Sequence, residues 1–490
     1  MEYTATHPTQ PSRLHWLWPL ALLAIAAAVR LPGIERPLTG NFATKNVVYA
    51  MIARNWAEGR AGLLEPTLDC LVGGHRSLHL LEFPVSAYLS GLLWKGLGGS
   101  LDVWGRLTAL GFTLGSVALL YVLVARWHGK AAAVIAGLVL ALSPVSILYG
   151  RSFMLEASLV FFMVATIWAW DRWLGVGRWP WLAVSGVALS LAFLTKIYVL
   201  VLLAPMVAMA VRGPRCTWPT LRIGAISALL VIVAALPAAA WYRYAAVTAG
   251  PGSPAADRVY YSVRASVEAH RPPHPLLGSA RFYGHMASDL IGPVLTPLGF
   301  ALVLAGLLNP ACRRHLAWLA GSLVLIVLLP RKFYEMNYYW MAVLPVLAVV
   351  GGLGWQLVQD RLRPGRAAMV GTLLLSILLA ARYAAGPVLK TPDEDRGVVA
   401  AGLAIRGLTA TEEPVVTTHG STIDLLYYCQ RPGWAIERPT PAVLEDCRRQ
   451  GARTLAVAGA EPLQAPQWSG IDSAPLARGP GYAVYRILPR

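Results

Sequence analysis

About eleven separate stretches of this chain stay apolar for roughly the 20 residues that a bilayer crossing needs, and soluble folds do not bury that much uninterrupted hydrophobic helix. The first run, Leu17 to Val29, ends at Arg30-Leu-Pro-Gly with no small-residue cleavage site behind it, so it is read as an uncleaved span. Further spans are predicted to start near residues 104, 131, 154, 179, 197, 221, 292, 315, 337 and 367. The connectors Arg126–Lys130, Asp171–Arg178, Arg212–Arg222, Asn309–His315 and Gln356–Arg366 are short and basic, and they recur at every second position. Basic loops stay in the cytoplasm. The alternation therefore predicts a cytoplasmic N-terminus, about eleven spans and a C-terminus outside.

Composition excludes the rival classes. Of 490 residues 56% are hydrophobic and 14% charged, against about 25% charged in soluble domains. That leaves no room for a soluble enzyme, a disordered chain or a disulfide-stapled module. A net charge of +17 would suggest nucleic acid in a soluble domain. Here basic cytoplasmic loops account for it, and no nucleic-acid partner is expected.

The fold class expected is an all-α polytopic membrane protein, residues 1–387, with a small C-terminal α/β domain over 388–490. Two outer loops, about 31–103 and 242–291, accompany it. Pro84–Leu97 is apolar but too short to cross, so it is read as an interfacial or re-entrant helix. Lys45–Glu58 carries apolar residues at 47, 48, 51, 52 and 56, a stripe suited to a helix lying on the membrane. In the tail, Pro414–Thr418 and Arg453–Ala458 read as strands, Ser421–Cys429 and Pro441–Gln450 as helices, and Tyr482–Ile487 as a third strand. Of five cysteines, Cys216 and Cys312 fall in cytoplasmic connectors and Cys70 outside. Cys429 and Cys447 share the tail; a disulfide between them and two buried thiols are both open.

The informative residues are charges in costly places. Arg151, Lys196, Arg331 and Lys332 map to outer ends of spans, against the orientation rule. Snorkelling to headgroups is one account. The other is convergence on an anion, for which Arg gives a fork and Lys a point charge. Glu82 and Glu156 are the scarce carboxylates at the membrane, and functional use is the default for such groups; pairing of Glu156 with Arg151 is the structural alternative. His79 and Glu82 are spaced i, i+3, and His285 precedes a later span. Such a set could hold a divalent metal, although solvent-facing histidines are commoner. Near Arg331 and Lys332, the aromatics Phe333, Tyr334, Tyr338 and Tyr339 suit either an aromatic belt or a site that stacks a sugar beside a phosphate. No P-loop or strand-borne Gly-x-Gly-x-x-Gly is present, so soluble nucleotide chemistry is unsupported.

Five stretches carry a family likeness: Tyr49-Ala-Met-Ile-Ala-Arg-Asn-Trp, Glu82-Phe-Pro-Val-Ser-Ala-Tyr-Leu, Leu142 through Glu156, Asn337-Tyr-Tyr-Trp, and Leu426-Tyr-Tyr-Cys-Gln-Arg-Pro-Gly-Trp. In this order the chain resembles the GT-C superfamily of polyprenyl-phosphate-sugar glycosyltransferases, which includes protein O-mannosyltransferases and the aminoarabinose transferase of lipid A. The resemblance implies a GT-C fold and an inverting transferase with its site at the outer face of a bacterial inner membrane. It implies a lipid-phosphate sugar donor and a glycan, lipid or protein acceptor; the chain itself is expected to act as a monomer. Glu82 matches the acid that helps hold a metal in that group, and Phe83 stands where a lysine follows. Glu156 matches the acid near the start of the fourth span. Thr44-Lys45-Asn46 precedes Tyr49 where the family usually places a carboxylate.

This reading expects Glu82, then Glu156, as catalytic base, and Arg151, Lys196, Arg331 and Lys332 with Tyr338 and Tyr339 as the donor-phosphate site. A metal on Glu82, His79 and His285 is the only cofactor expected. Two other classes stay open. A lipid-sugar transporter would need charges at mid-membrane, and the spans are nearly free of them. A scaffold that has lost catalysis would account for the missing acid.

Overall fold

The computed structural model describes residues 17–40, 42–212, 220–262, 266, 274–363, 365–389, 396–420, 422–459 and 470–489. Cys216 and Ser421 lie outside them. Each predicted span falls on a helix. In chain order the helices and strands up to the middle of the chain are α1 (Leu17–Ala28), α2 (Ala43–Ala57), β1 (Thr67–Val72), β2 (His75–Leu80), α3 (Val85–Leu97), α4 (Leu101–His128), α5 (Lys130–Leu142), α6 (Pro144–Tyr149), α7 (Glu156–Val176), α8 (Trp179–Thr195), α9 (Leu203–Val211), α10 (Thr220–Thr248) and β3 (Val259–Ser262). There follow α11 (Ala280–Asp289), α12 (Thr296–Leu307), α13 (Leu316–Leu328), α14 (Pro330–Glu335), α15 (Trp340–Leu362) and α16 (Arg366–Leu389). The tail holds α17 (Arg396–Leu408), β4 (Val415–Thr418), α18 (Asp424–Cys429), β5 (Gly433–Ala435), α19 (Pro441–Arg449), β6 (Thr454–Ala458), β7 (Ala477–Gly479) and β8 (Tyr482–Arg486).

Among the described residues, five helices are long and apolar enough to cross a bilayer, or six if the pair Ala280–Val294 and Thr296–Leu307, bent by 110°, is one span. Shorter apolar helices such as α5 and α8 account for the other predicted positions. After α5, Ser143 accepts a hydrogen bond from the Ser146 amide and Pro144 takes the first helical position of α6, which caps and starts a new helix. The bend near 295 follows from Pro293 inside a π-turn and from Thr296 held at φ 64°. Leu229, Ile232, Val233 and Leu236 on α10 are exposed, as lipid-facing side chains are. The chain is an integral membrane protein.

The bundle packs around α15, the most deeply buried of the long helices. Glycines make its closest crossing possible. A Cβ on Gly354 would stand 1.9 Å from the Leu302 carbonyl oxygen, and one on Gly306 would stand 1.9 Å from that of Val350. Small residues at such crossings let helices approach where no hydrophobic effect drives them together. Gly354→Ala is expected to lower stability by about 3 kcal/mol through overpacking, read as a fall in thermal unfolding temperature in detergent. Gly371→Ala, where an added Cβ meets nothing within 4 Å, is the control and should leave it unchanged.

On the other side of the fold, loops and tail share one eight-stranded sheet, ordered β3-β2-β1-β5-β4-β6-β8-β7. The expected tail elements are present. Their sheet, however, continues through β1, parallel to β5 with Cys70 opposite Gly433, into both long loops. The β1–β2 hairpin turns on Gly73 and Gly74, both at positive φ, as a two-residue hairpin loop requires. The sequence reading had no strands there. It also laid the 45–58 helix on the membrane. Instead α2 is buried on most sides, Val47 to Ala53 included, because the hairpin, α3 and the tail cover it. Cys429 and Cys447 are free and buried in separate apolar clusters, so they do not pair.

Candidate functional site

A cavity of about 760 Å³ opens where α2, the end of β2, the α8–α9 break, β3 and α14 meet. Local structure aims each polar group into it. After β2, the Phe83 amide donates to the Leu194 carbonyl at 3.0 Å and the Trp241 indole to the Leu81 carbonyl at 3.1 Å. These bonds pin Glu82 between two bundle helices. Lys196 sits in extended backbone between α8 and a 3-10 turn, so a break in a span turns its side chain inward. Lys332 lies on α14, which starts with Pro330.

Three lysines line the cavity: Lys45, Lys196 and Lys332. The Lys196 ammonium pairs directly with the Glu82 carboxylate and stands 3.8 Å from Glu156. Lys45 donates to Glu156 at 2.8 Å and covers the Tyr338 ring at 3.8 Å from its centroid. Tyr49 donates its hydroxyl to Glu82 at 3.2 Å. Tyr338 and Tyr339 are stacked at 4.9 Å. Burial alone would raise the Glu82 carboxyl, but the charges of Lys196, Lys45 and His79 outweigh it and hold it down to about 2. His79 is pushed down to about 4, mainly by burial, so it is neutral at pH 7. Lys332 is lowered to about 8 by burial and then by repulsion from Lys196 and Lys45.

Of the residues predicted for the site, Glu82, Lys196, Lys332, Tyr338, Tyr339 and His79 line this cavity. Glu156, fully buried, joins it through Lys45 and does not pair with Arg151. Three candidates belong elsewhere. Arg151 donates to the carbonyls of Pro32 and Gly33, holding the chain as it leaves α1. Arg331 pairs with Glu335 at 2.7 Å and is exposed, since neighbouring residues on a helix point apart. His285 contacts Asp289 at 3.8 Å and the Tyr334 ring at 4.6 Å. Phe333 packs on Trp340, so only half of the four expected aromatics reach the cavity.

The metal set is therefore incomplete. Among the described residues no three His, Cys, Asp or Glu groups could hold an ion, and an ammonium already occupies the edge of Glu82. His79, Glu82 and His285 are thus not gathered at one point among the described residues. The sequence reading missed Lys45, Tyr49, Tyr198, Tyr242, Tyr260 and Tyr261 as wall residues. Lys45 had a signal: it stands where the family's acid was sought, four residues before Tyr49 on one helix face.

The profile of the family "dolichyl-phosphate-mannose-protein mannosyltransferase" matches residues 83–241. A putative mannosyltransferase from Bacillus subtilis, YkcB, is 34% identical over 83 residues, 17% of this chain and 12% of that protein. Among solved structures, ArnT from Cupriavidus metallidurans bound to undecaprenyl phosphate is similar over 97% of this chain and 98% of its own, with TM-score 0.60 and 14% identity. The oligosaccharyltransferase AglB from Archaeoglobus fulgidus, in complex with a peptide and dolichol phosphate, covers 91% of this chain and 70% of its own, with TM-score 0.57 and 13% identity. The arabinofuranosyltransferase AftD from Mycobacteria covers 98% of this chain and 40% of its own at TM-score 0.57 and 15% identity. The chain has the GT-C fold that these solved structures share.

Proposed function

We propose that this protein is an inverting glycosyltransferase. It would move a sugar from a polyprenyl-phosphate donor to a hydroxyl of a glycan, lipid or protein acceptor at the outer face of a bacterial inner membrane. The observation that carries this reading is the convergence of Lys45, Lys196 and Lys332 on one tyrosine-lined cavity at the end of an apolar bundle. Glu82 and Glu156 answer two of the three ammonium groups, and a cation left over in such a site is costly unless a further anion joins it. A lipid phosphate supplies that anion while its tail stays in the bilayer.

In the reaction the acceptor oxygen attacks the anomeric carbon. The carbon–oxygen bond to phosphate breaks, polyprenyl phosphate leaves, and a base takes the acceptor proton. The lysines stabilise the charge that grows on the leaving phosphate. Glu82 is the base proposed, with Glu156 second. Held to about 2 by Lys196 and Lys45, Glu82 is a weak base. A phosphate that draws Lys196 toward itself loosens that hold and raises the carboxyl, so the donor would prepare its own base.

Mass spectrometry of the purified protein is expected to find co-purifying polyprenyl phosphate, lost in the Lys45→Ala/Lys332→Ala double variant. The same preparation should transfer labelled sugar from a polyprenyl-phosphate donor to envelope acceptors. Failure of wild type to carry polyprenyl phosphate, together with no stabilisation by added lipid, would overturn the reading.

Lys332 gives a pH test. Its folded value, about 8, lies below the ordinary 10.5. The folded protein therefore holds this proton less firmly than the unfolded chain. The resulting penalty is full below about 8 and fades as pH rises from there toward 10.5. A bound phosphate favours the protonated form. Calorimetry at pH 8 in buffers of different ionisation enthalpy should show proton uptake on binding polyprenyl phosphate, absent in Lys332→Gln. Equal heats in all buffers would remove Lys332 from the phosphate site.

A further inference from the structure

Two independent features of the tail meet just after β4 and bear on which acceptor the cavity takes, an inference that rests on the transferase reading. The first is topology. β4 lies parallel to β5 on one side and to β6 on the other, so the chain steps from β4 to β5 and then back past β4 to β6. The helices between them cover opposite faces. Leu425 and Leu426 of α18 share an apolar cluster with Val415 and Ala456, whereas Leu444 and Cys447 of α19 share one with Val416 and Leu455. In such sheets ligands bind at the carboxyl ends of the strands where the strand order reverses. Here that place is the end of β4, and the residues beyond it include His419, Thr422 and Asp424.

The second feature is the polar cluster those residues form. Thr422 lines the cavity. Its hydroxyl donates to Asp424 Oδ1 at 2.5 Å and lies 2.9 Å from the His419 carbonyl oxygen. His419 Nδ1 stands 2.8 Å from the same carboxylate oxygen. Asp424 has no exposed surface, and its Oδ2 is buried without a hydrogen-bond partner, a cost that a further donor would remove. A hydroxyl has one proton and two lone pairs. With its proton given to Asp424, Thr422 keeps lone pairs for a partner in the cavity. The cluster is also held in place: Arg54 on α2 donates to the Tyr427 carbonyl at 3.0 Å, which ties α18 to the helix that carries Lys45 and Tyr49.

We infer that His419, Thr422 and Asp424 build the acceptor subsite, and that the acceptor is a sugar. Thr422 accepts a hydrogen bond from a hydroxyl next to the one that reacts, while Glu82 stays the base proposed for the reacting one. His419 and Asp424 are positioning residues, since they act by fixing the Thr422 hydroxyl. This division of labour needs hydroxyls on adjacent carbons, which a glycan offers and a lone serine, threonine or lipid alcohol does not. Tyr260 and Tyr261 on β3 line the same cavity and supply flat aromatic faces with polar tips, a surface on which a sugar ring packs.

The test uses the full-length protein in lipid nanodiscs, with a sugar on a short prenyl phosphate as donor. The acceptor probes are methyl hexosides, their analogues each lacking one hydroxyl, and a peptide containing serine and threonine. Wild type is expected to transfer to a hexoside. The analogue that keeps the reacting hydroxyl and lacks its neighbour should show an acceptor KM raised roughly tenfold, the worth of one hydrogen bond. Thr422→Val should raise the KM of the complete hexoside by a similar factor, more than it lowers kcat, and should erase the difference between hexoside and analogue. Thr422→Ser keeps the hydroxyl and should restore that difference. His419→Gln should give a smaller rise of the same kind, and Thr422→Ala serves if the valine variant does not fold. A Thr422 variant without the hydroxyl that still tells hexoside from analogue as wild type does would overturn the subsite. Transfer to the peptide and to no hexoside would overturn the sugar acceptor and leave the transferase reading standing. If wild type neither transfers the sugar nor releases it to water, the transferase reading falls and takes this one with it.

Discussion

Replacing Lys196 with methionine is expected to reduce sugar transfer by roughly a thousandfold or more, the scale seen when a preorganised charge is removed from a developing anion. The same change should destabilise the protein. Lys196 neutralises Glu82 directly and stands 3.8 Å from Glu156, and both carboxylates are buried. Breaking a buried ion pair from one side leaves an uncompensated charge and costs about 3–5 kcal/mol. The pH dependence follows in sign. The Glu82 carboxyl lies at about 2 in the folded protein and at 4.5 when free. Its pairing thus adds stability above the free value, and that stability is lost as pH falls through about 2. In Lys196→Met this contribution disappears at neutral pH.

A double variant, Lys196→Met/Glu82→Gln, separates the two consequences. It removes both charges of the direct pair, so thermal stability should recover in part. Transfer should not recover, because neither the phosphate contact nor the proposed base remains. Wild-type turnover in Lys196→Met would sink the role given to this lysine. Full activity in the double variant would sink the role given to both residues.

The positions of the helices were legible because lipid imposes a length and a polarity that no other solvent does. The tail elements were legible from caps and alternation: Thr440 accepting from the Val443 amide starts α19 where the sequence placed it. The site was legible in part. A charge at a span end marks a depth in the membrane, but not the direction of its side chain. Lys332 turns into the cavity and Arg331, its neighbour, turns out. Arg151 resembles a phosphate ligand in sequence and is used on two backbone carbonyls. Lys45 was read as the loss of an acid, although it pairs with Glu156 across 111 residues of chain. Such pairings depend on tertiary approach, which neither period nor propensity encodes. The Gly73-Gly74 hairpin was the exception, a local turn signal that the apolar runs around it overshadowed.

Arg54→Met is expected to cost about 3–5 kcal/mol and to loosen the tail from the bundle, although Arg54 touches neither lipid nor cavity. Its guanidinium is buried, pairs with Asp69 on β1, donates to the Tyr427 carbonyl at 3.0 Å and lies 4.7 Å from the Tyr427 ring centroid. Asn55 ties the same carboxylate to α2 at 3.2 Å. Beyond Tyr427 the network reaches the bundle: the hydroxyls of Tyr427 and Tyr428 donate to Asp102 at 2.6 and 2.7 Å. One arginine thus joins α2, the hairpin and the tail, and its loss strands Asp69 without its closest cation. Limited proteolysis should cut the variant in the tail faster than wild type, and thermal unfolding should begin earlier. Function should follow, because α2 also carries Lys45 and Tyr49, whose positions in the cavity depend on how that helix is held. Polyprenyl-phosphate affinity is therefore expected to fall in Arg54→Met and to return in part in Arg54→Met/Asp69→Leu, which removes the orphaned carboxylate. An unchanged proteolysis pattern with unchanged affinity would mean that the tail is held by its apolar clusters alone, and that the polar network sets register without carrying load.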